Sequence, residues 1–409
     1  MHLVYIHQYF AFPTVRGGTR SYDLAREFKK LGIYVTVITT TTMIKGLNEN
    51  KRWNTFEREG IIFWVLTSNY SQKQSFFKRI MLFLHFMFFS TIKILQIKCD
   101  LVLATSTPLS VGIPALIKKF ISRTNYIFEV RDVWPEGPVK LGYIRNKVII
   151  KILTWFEGLI YYNASHIVPL STGMERIINE RFNLHDKTTV ITNISEINRF
   201  QNNIEYGSYL KSIDTEGKKI VLYAGALGRV NGINYLAKLA LGTFDIDPDI
   251  IYLIFGVGNE KESIVEFCRD KGIMNKNIFF LDPVPKNQLP GIYSISSLGS
   301  SFVIDNKIMW ENSANKFFDT LAAGKPILIN HEGWQAELIK KENIGYVMPP
   351  ELSKYATERF VTYINNNTLL ELQGTNSLKL AKSKFSLEKA TKLYMEVFEK
   401  SINNFKRVS

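Results

Sequence analysis

Cysteine is nearly absent. The 409 residues hold two, Cys99 and Cys268, far apart and each beside an apolar segment. Two such thiols build no disulfide framework and offer no zinc-type spacing, so they read as reduced, partly buried side chains. The stretch Met1-His2-Leu3-Val4-Tyr5-Ile6-His7 lacks the basic head and long apolar run of a secretory leader, and reads as a first strand. The expected location is the cytoplasm, which makes the Asn69, Asn163 and Asn193 sequons accidental. No apolar run reaches the roughly 17–25 residues that cross a bilayer. No low-complexity tract or short repeat is present. No nucleic-acid-binding motif stands out, and Lys and Arg are spread along the chain rather than gathered in a tail. Neither glycine turn matches G-x-G-x-x-G with an acid about 20 residues on, so a dinucleotide cofactor is disfavoured. Asp245-Ile246-Asp247 and Asp247-Pro248-Asp249 imitate a metal-binding D-x-D, but they sit ahead of a strand rather than after one. They read as a turn, and no metal is expected.

What is present is a basic, apolar, two- or three-domain length of chain. The formal net charge is +14 and hydrophobic residues make up 46%. That content lets each domain bury a core. The charge favours acidic partners: nucleic acid, anionic lipid or phosphorylated substrates, with nucleic acid the weakest for want of a motif.

Strand and helix signals alternate along the whole length. Leu3–Ile6 is a strand, a loop leads to Gly17-Gly18, and a helix runs from Thr19 to Lys30 with Leu24, Ala25 and Phe28 on one face. Gly32 ends it and Ile33–Ile38 is the next strand, a Rossmann-like opening. Glu57–Leu66 reads as one strand. Between Arg79 and Lys93 the chain is apolar almost all round, with Lys73, Lys78 and Lys98 also flanking. Two readings stand for residues 72–98: a core helix, or a helix lying in a membrane interface with its cations on anionic headgroups. Asn125–Val130 is a strand that ends in Arg131-Asp132-Val133-Trp134-Pro135-Glu136, charges placed where parallel sheets hold ligands. Periodicity fades from Asn193 to about Lys218. The pattern then restarts with a strand at Lys219–Ala224, the glycine turn Gly225–Gly232 and a helix. The expected class is α/β, with two Rossmann-like, doubly wound parallel sheets facing across a cleft. The expected divisions are residues 1–200, residues 201–385, and a helix over 386–409 crossing back to the first domain.

The stretch Glu311 to Pro326 ties this pattern to chemistry. Asn312 or Ser313 can cap a helix that Gly324 closes and Pro326 forbids from continuing. A helix N-terminus after a loop is an anion site, and two acids eight apart, Glu311 and Asp319, can hold hydroxyls on either side of the anion.

These motifs together resemble glycosyltransferase family 4, the retaining GT-B enzymes, and the resemblance extends over nearly the whole chain. Glu311 to Asp319 is similar to that family's E-x7-E motif, with Ala322-Ala323-Gly324-Lys325-Pro326 as its sequel. Phe128 to Glu136 and Tyr223 to Gly232 resemble the strand-end motif and donor turn of bacterial O-antigen or capsule transferases of the N-acetylfucosamine type. The resemblance implies that Asp319 holds the donor ribose and Glu311 faces the donor sugar. It implies that the amides of Asn312, Ser313, Ala314, Asn315 and Lys316 surround sugar and phosphate, that Val284 frames the uracil, and that Gly17, Gly18 and Gly225 approach the diphosphate. Arg131 and Asp132 fall to the catalytic group, Trp134 and Glu136 to the acceptor. The family's reaction is front-face substitution in which the leaving diphosphate takes the acceptor's proton. The chain departs from the pattern at Ala226 and Asn231, where Arg and Lys are usual, so Arg229 and Lys316 have to supply that charge. Asp319 replaces a Glu, and Arg131 a His. The expected partners are a UDP-sugar and an undecaprenyl-diphosphate-linked saccharide, at the inner face of the membrane, with no cofactor. A nucleotide-sugar 2-epimerase and a non-catalytic membrane partner are the competing readings.

Overall fold

The computed structural model describes residues 1–68, 76–201, 210 and 213–406. The Asn69 sequon and Lys73, with residues 202–209 of the fading stretch and the last three residues, lie outside them. The described chain forms two compact units. One comprises Met1–Phe12, Gly18–Thr192 and the C-terminal stretch from Leu387; the other comprises Pro13–Gly17 and Asn193–Ser386.

The first unit is built on seven strands: β1 (His2–Ile6), β2 (Tyr34–Thr40), β3 (Trp53–Arg58), β4 (Ile61–Leu66), β5 (Leu101–Thr105), β6 (Asn125–Val130) and β7 (His166–Pro169). Their order is β3-β4-β2-β1-β5-β6-β7. All neighbours are parallel except β3 and β4. The single strand expected over Glu57–Leu66 is in fact a hairpin. Glu59 (φ 53°) and Gly60 (φ 74°) both take left-handed backbone, the geometry of a two-residue hairpin turn, and this splits the run. The central strands are continuous apolar runs because helices cover both faces. Helices Phe76–Leu95, Gly112–Ser122 and Lys147–Asn163 pack on one face through Phe86, Ile94, Ala115 and Ile160. On the other face Phe28 of helix Arg20–Lys30 meets Tyr394 and Phe398 of helix Leu387–Lys406 edge to face.

The second unit has six parallel strands: β8 (Lys219–Ala224), β9 (Ile250–Phe255), β10 (Ile278–Leu281), β11 (Leu298–Ser301), β12 (Ile327–Ile329) and β13 (Gly345–Val347). Their order is β10-β9-β8-β11-β12-β13. Its largest core joins β8 and β9 to helices Ile233–Phe244 and Lys354–Ile364.

Strand order reverses once in each sheet, between β1 and β5 and between β8 and β11. At such a point neighbouring loops leave in opposite directions and open a crevice at the strand C-termini. Gly17 and Gly18 follow β1, Gly225–Asn231 follow β8 and Glu311–Asp319 follow β11, while Arg131–Glu136 follow β6 and Val284 follows β10.

Candidate active site

In the second unit, β8 runs into Gly225. A side-chain carbon at Gly225 would lie 2.8 Å from Lys316 Cε, and one at Gly256 would lie 2.1 Å from the Gly225 carbonyl. At Gly256 the facing atom is backbone, so only glycine passes this close; at Gly225 it is the end of a flexible side chain. Arg229–Asn231 is a short 3-10 turn, Gly232 (φ 59°) reverses the chain, and helix Ile233–Phe244 begins. Arg229 is exposed on the turn. The Asn231 amide donates to Gly228 O at 2.9 Å.

The helix of the E-x7-E stretch is shorter than expected. It spans Asn315–Ala322, and its flanking residue is Ala314 in extended backbone with no side-chain cap. Asn312 and Ser313 are committed elsewhere. The Asn312 carbonyl accepts from Trp334 Nε1 at 3.0 Å and Gln335 Nε2 at 3.1 Å, and its own Nδ2 donates to Met309 O. The Ser313 carbonyl accepts from Asn193 Nδ2, and its hydroxyl accepts from the Asn193 amide at 3.3 Å. Expected caps have thus become struts. The consequence is a first turn with no acid in it and no side-chain cap from Ala314, and with Lys316 inside it. Gly324 (φ 64°) closes the helix as its position predicts.

Lys316 stands with its ammonium 5.0 Å from the centre of the Tyr223 ring. The Tyr223 hydroxyl in turn donates to Ala226 O at 2.8 Å, fixing the glycine turn. Burial draws the Lys316 ammonium down to about 8, with Asp319 opposing. Asp319 is buried and ion-paired with Lys286, also buried. Lys286 is a site neighbour that pattern reading missed; it follows the Val284 loop by two residues, and its pairing with an acid 33 positions on leaves no local signal. The Lys286 and Asn287 amides donate to Val15 and Pro13 carbonyls at 3.1 and 3.0 Å. This places the Pro13–Gly17 loop, with Gly17 at φ 116°, in the second unit. Val284 is buried. Glu311 is buried at the end of helix Lys307–Trp310. The structure therefore gathers Gly225, Lys316 and Asp319; among the described residues Arg229 makes no hydrogen bond or ion pair with them.

In the first unit the residues after β1, β5 and β6 meet. The Arg131 amide donates to Ser106 Oγ at 2.9 Å, and Thr107 Oγ1 donates to Asp132 at 2.5 Å. Arg131 Nη1 lies 3.4 Å from His7 Nε2. A guanidinium only donates, so His7 Nε2 accepts and Nδ1 carries the proton. Burial, and then Arg131, hold His7 well below its ordinary value, so the ring is neutral. Beside it Gln8 is fully buried, with neither side-chain amide atom hydrogen-bonded to a described residue. His7 and Gln8 were not singled out from sequence; the available signal was two polar residues directly after an apolar strand. Arg181 connects the rest of the motif. It donates to Trp134 O at 3.5 Å and to Glu157 at 2.6 Å, and lies 4.0 Å from Glu136. Glu129 belongs to the framework instead: it is buried against Arg20, Thr105 and Tyr394. Gly18 precedes helix Arg20–Lys30 and is partly exposed.

Residues 17–199 match the family described as Glycosyltransferase Family 4, and residues 210–379 match Glycosyl transferases group 1. Spore coat protein SA of Bacillus subtilis is 27% identical over 192 residues, 45% of this chain and 50% of that one. The putative colanic acid biosynthesis glycosyl transferase WcaI of Escherichia coli is 22% identical over 231 residues, 54% of each chain. The matches thus span about half the length of these two relatives. Anabaena HepE, solved in complex with UDP-glucose, superposes with a TM-score of 0.71 over 98% of this chain and 99% of that one, at 16% identity. The fold is GT-B.

Proposed function

We propose that this chain, whose residues 17–199 and 210–379 match glycosyltransferase family models on a GT-B fold, moves a sugar from a nucleoside diphosphate to an acceptor with retained configuration. One observation carries this reading. At the switch point of the second sheet, the N-terminus of helix Asn315–Ala322, Lys316 and a close-passing Gly225 converge beside the buried Asp319–Lys286 pair. First-turn N–H groups and a partly buried ammonium are complementary to a diphosphate, and a buried carboxylate nearby is complementary to ribose hydroxyls.

The proposed donor is a UDP-sugar, in line with the bound ligand of HepE, and the sugar is N-acetyl-L-fucosamine or a related amino or 6-deoxy sugar. Residues 201–385 hold it. Val284 frames the base, Asp319 the ribose, and Gly225, Asn231 and the amides of 312–316 the diphosphate and sugar. Lys316 and Arg229 neutralise the leaving charge, and Glu311 orients the sugar. The acceptor hydroxyl attacks C1 from the face of the departing diphosphate. The C1–O bond to phosphate breaks, and the proton passes to the leaving phosphate oxygen. No protein base, cofactor or metal enters the step; stabilising the diphosphate is the main catalytic effect. Residues 1–200 receive the acceptor, an undecaprenyl-diphosphate-linked saccharide of O-antigen or capsule assembly, at Arg131, Asp132, Trp134 and Glu136. The helix within 72–98 rests on the inner face of the membrane. WcaI, named for colanic acid biosynthesis, supports a polysaccharide role. The test is a donor screen of UDP-, GDP- and dTDP-sugars against lipid-linked acceptors, read by nucleotide release and product mass. Release of UDP only from a UDP-amino sugar supports the proposal; no release from any donor, with no calorimetric binding of UDP, defeats it.

A further inference from the structure

The helix layer on one face of the first sheet buries its inner side and leaves apolar residues on its outer side as well. On helix Lys147–Asn163, Val148, Ile152, Trp155 and Tyr162 follow one another at spacings of four, three and seven, a single stripe. All four are more than half exposed, Trp155 at 66%. Helix Phe76–Leu95 carries a second, less exposed stripe of Met81, Leu84, Phe88 and Ile92, each more than 40% exposed. Between these two lies helix Gly112–Ser122, ending in Phe120 and Ile121, both more than 60% exposed. The three helices are tied at one end. Lys118 Nζ donates to Ile97 O at 2.8 Å and Lys119 Nζ to Asn163 O at 2.6 Å. An isolated exposed leucine needs no explanation, but two outward apolar stripes with Phe120 and Ile121 on the helix between them are apolar surface that calls for a partner.

Charge selects the partner. Lys118 and Lys119 are spent on the helix ties and Lys93 lies over the Trp53 and Trp64 rings, but Lys78, Lys147 and Lys151 are exposed, and the one acid of the three helices, Glu157, is buried against Arg181. A second copy of the same face would bring like charges together. No described helix is long and apolar enough to cross a membrane. We infer that this three-helix face, with the Trp155 stripe at its centre, lies in the headgroup region of an anionic bilayer. This rests on the membrane contact proposed above for residues 72–98 and extends it to a helix outside that segment. The same helix holds Glu157, whose partner Arg181 donates to the Trp134 carbonyl of the strand-end motif, so lipid face and proposed acceptor loop share one hydrogen-bonded frame.

The full chain is floated with vesicles of phosphatidylcholine alone and with phosphatidylglycerol added. The double variant Ile152→Glu/Trp155→Glu, at exposed positions, is compared with Lys147→Ala/Lys151→Ala, and each is checked by melting and by UDP calorimetry. Binding is expected only to the anionic vesicles. The apolar double variant loses it by about tenfold or more, and the basic one by about fivefold per charge removed, with melting and UDP affinity unchanged. Loss of UDP binding in the parent chain would count against the donor reading and leave this one standing. The inference is overturned if the parent ignores vesicles, if both variants bind like the parent, if neutral and anionic vesicles bind equally, or if Ile152→Glu/Trp155→Glu instead dissolves a dimer.

Discussion

Lys316 is held where its charge depends on pH. Burial, only partly opposed by Asp319, brings its ammonium down to about 8. The charged form is the one that meets a diphosphate, so it is present at pH 7 and lost as pH rises through about 8. UDP affinity is expected to fall about tenfold across that range, and Lys316→Met to be weak and flat; titration calorimetry over a pH series reads both. A flat profile in the parent chain would remove Lys316 from the phosphate site. Asp319 and Lys286 make a second residue-scale test. Replacing Lys286 with Met leaves a buried carboxylate unpaired, an effect of about 3–5 kcal/mol. Urea unfolding of Lys286→Met should show a loss of this order, and adding Asp319→Leu should return much of it. Equal stability of the single variant and the parent would mean the pair is not formed.

Among the elements, the backbone signals were the readable ones. Gly324 had to be left-handed, Gly225 had to sit close to something, and apolar runs had to be central strands; each follows from the residue's own stereochemistry. The start of the Asn315–Ala322 helix was not readable. Two good capping residues precede it, and both are claimed by Asn193, Trp334 and Gln335 from distant parts of the chain. The Glu57–Leu66 run failed for a local reason: Glu59 takes left-handed backbone that its side chain does not advertise. Distant pairing also hid Arg20, which is fully buried and joins Glu129, 109 positions away, to Ile191 O and Tyr394. Burial alone would raise the Glu129 carboxyl; Arg20 and Arg131, with hydrogen bonds from Thr105 and Tyr394, hold it below its ordinary value. Arg20→Ala is expected to destabilise the first unit by about 3–5 kcal/mol, measured by chemical denaturation. A loss under about 1 kcal/mol, the range of surface pairs, would show that this buried pair does not hold helices Arg20–Lys30 and Leu387–Lys406 to the sheet. Gly225→Ala is a sharper local test. Its new carbon meets Lys316 Cε, so UDP affinity should drop while the melting temperature stays within a few degrees.

At the scale of the whole molecule, two sheets each reverse their strand order once, and the glycine turn Gly225–Gly232 and the Glu311–Asp319 stretch follow the two strands at the second reversal. The central claim is that the second reversal holds the diphosphate of a UDP-sugar. Ligand binding to the native state raises the unfolding free energy by about 2.7 kcal/mol at a hundredfold excess over Kd. Calorimetric titration of UDP into the parent chain and into Asp319→Ala tests the claim most directly. The account predicts saturable one-to-one binding by the parent and a loss of about tenfold or more in the variant. Equal affinity of the two chains for UDP, or no heat with either, would contradict it.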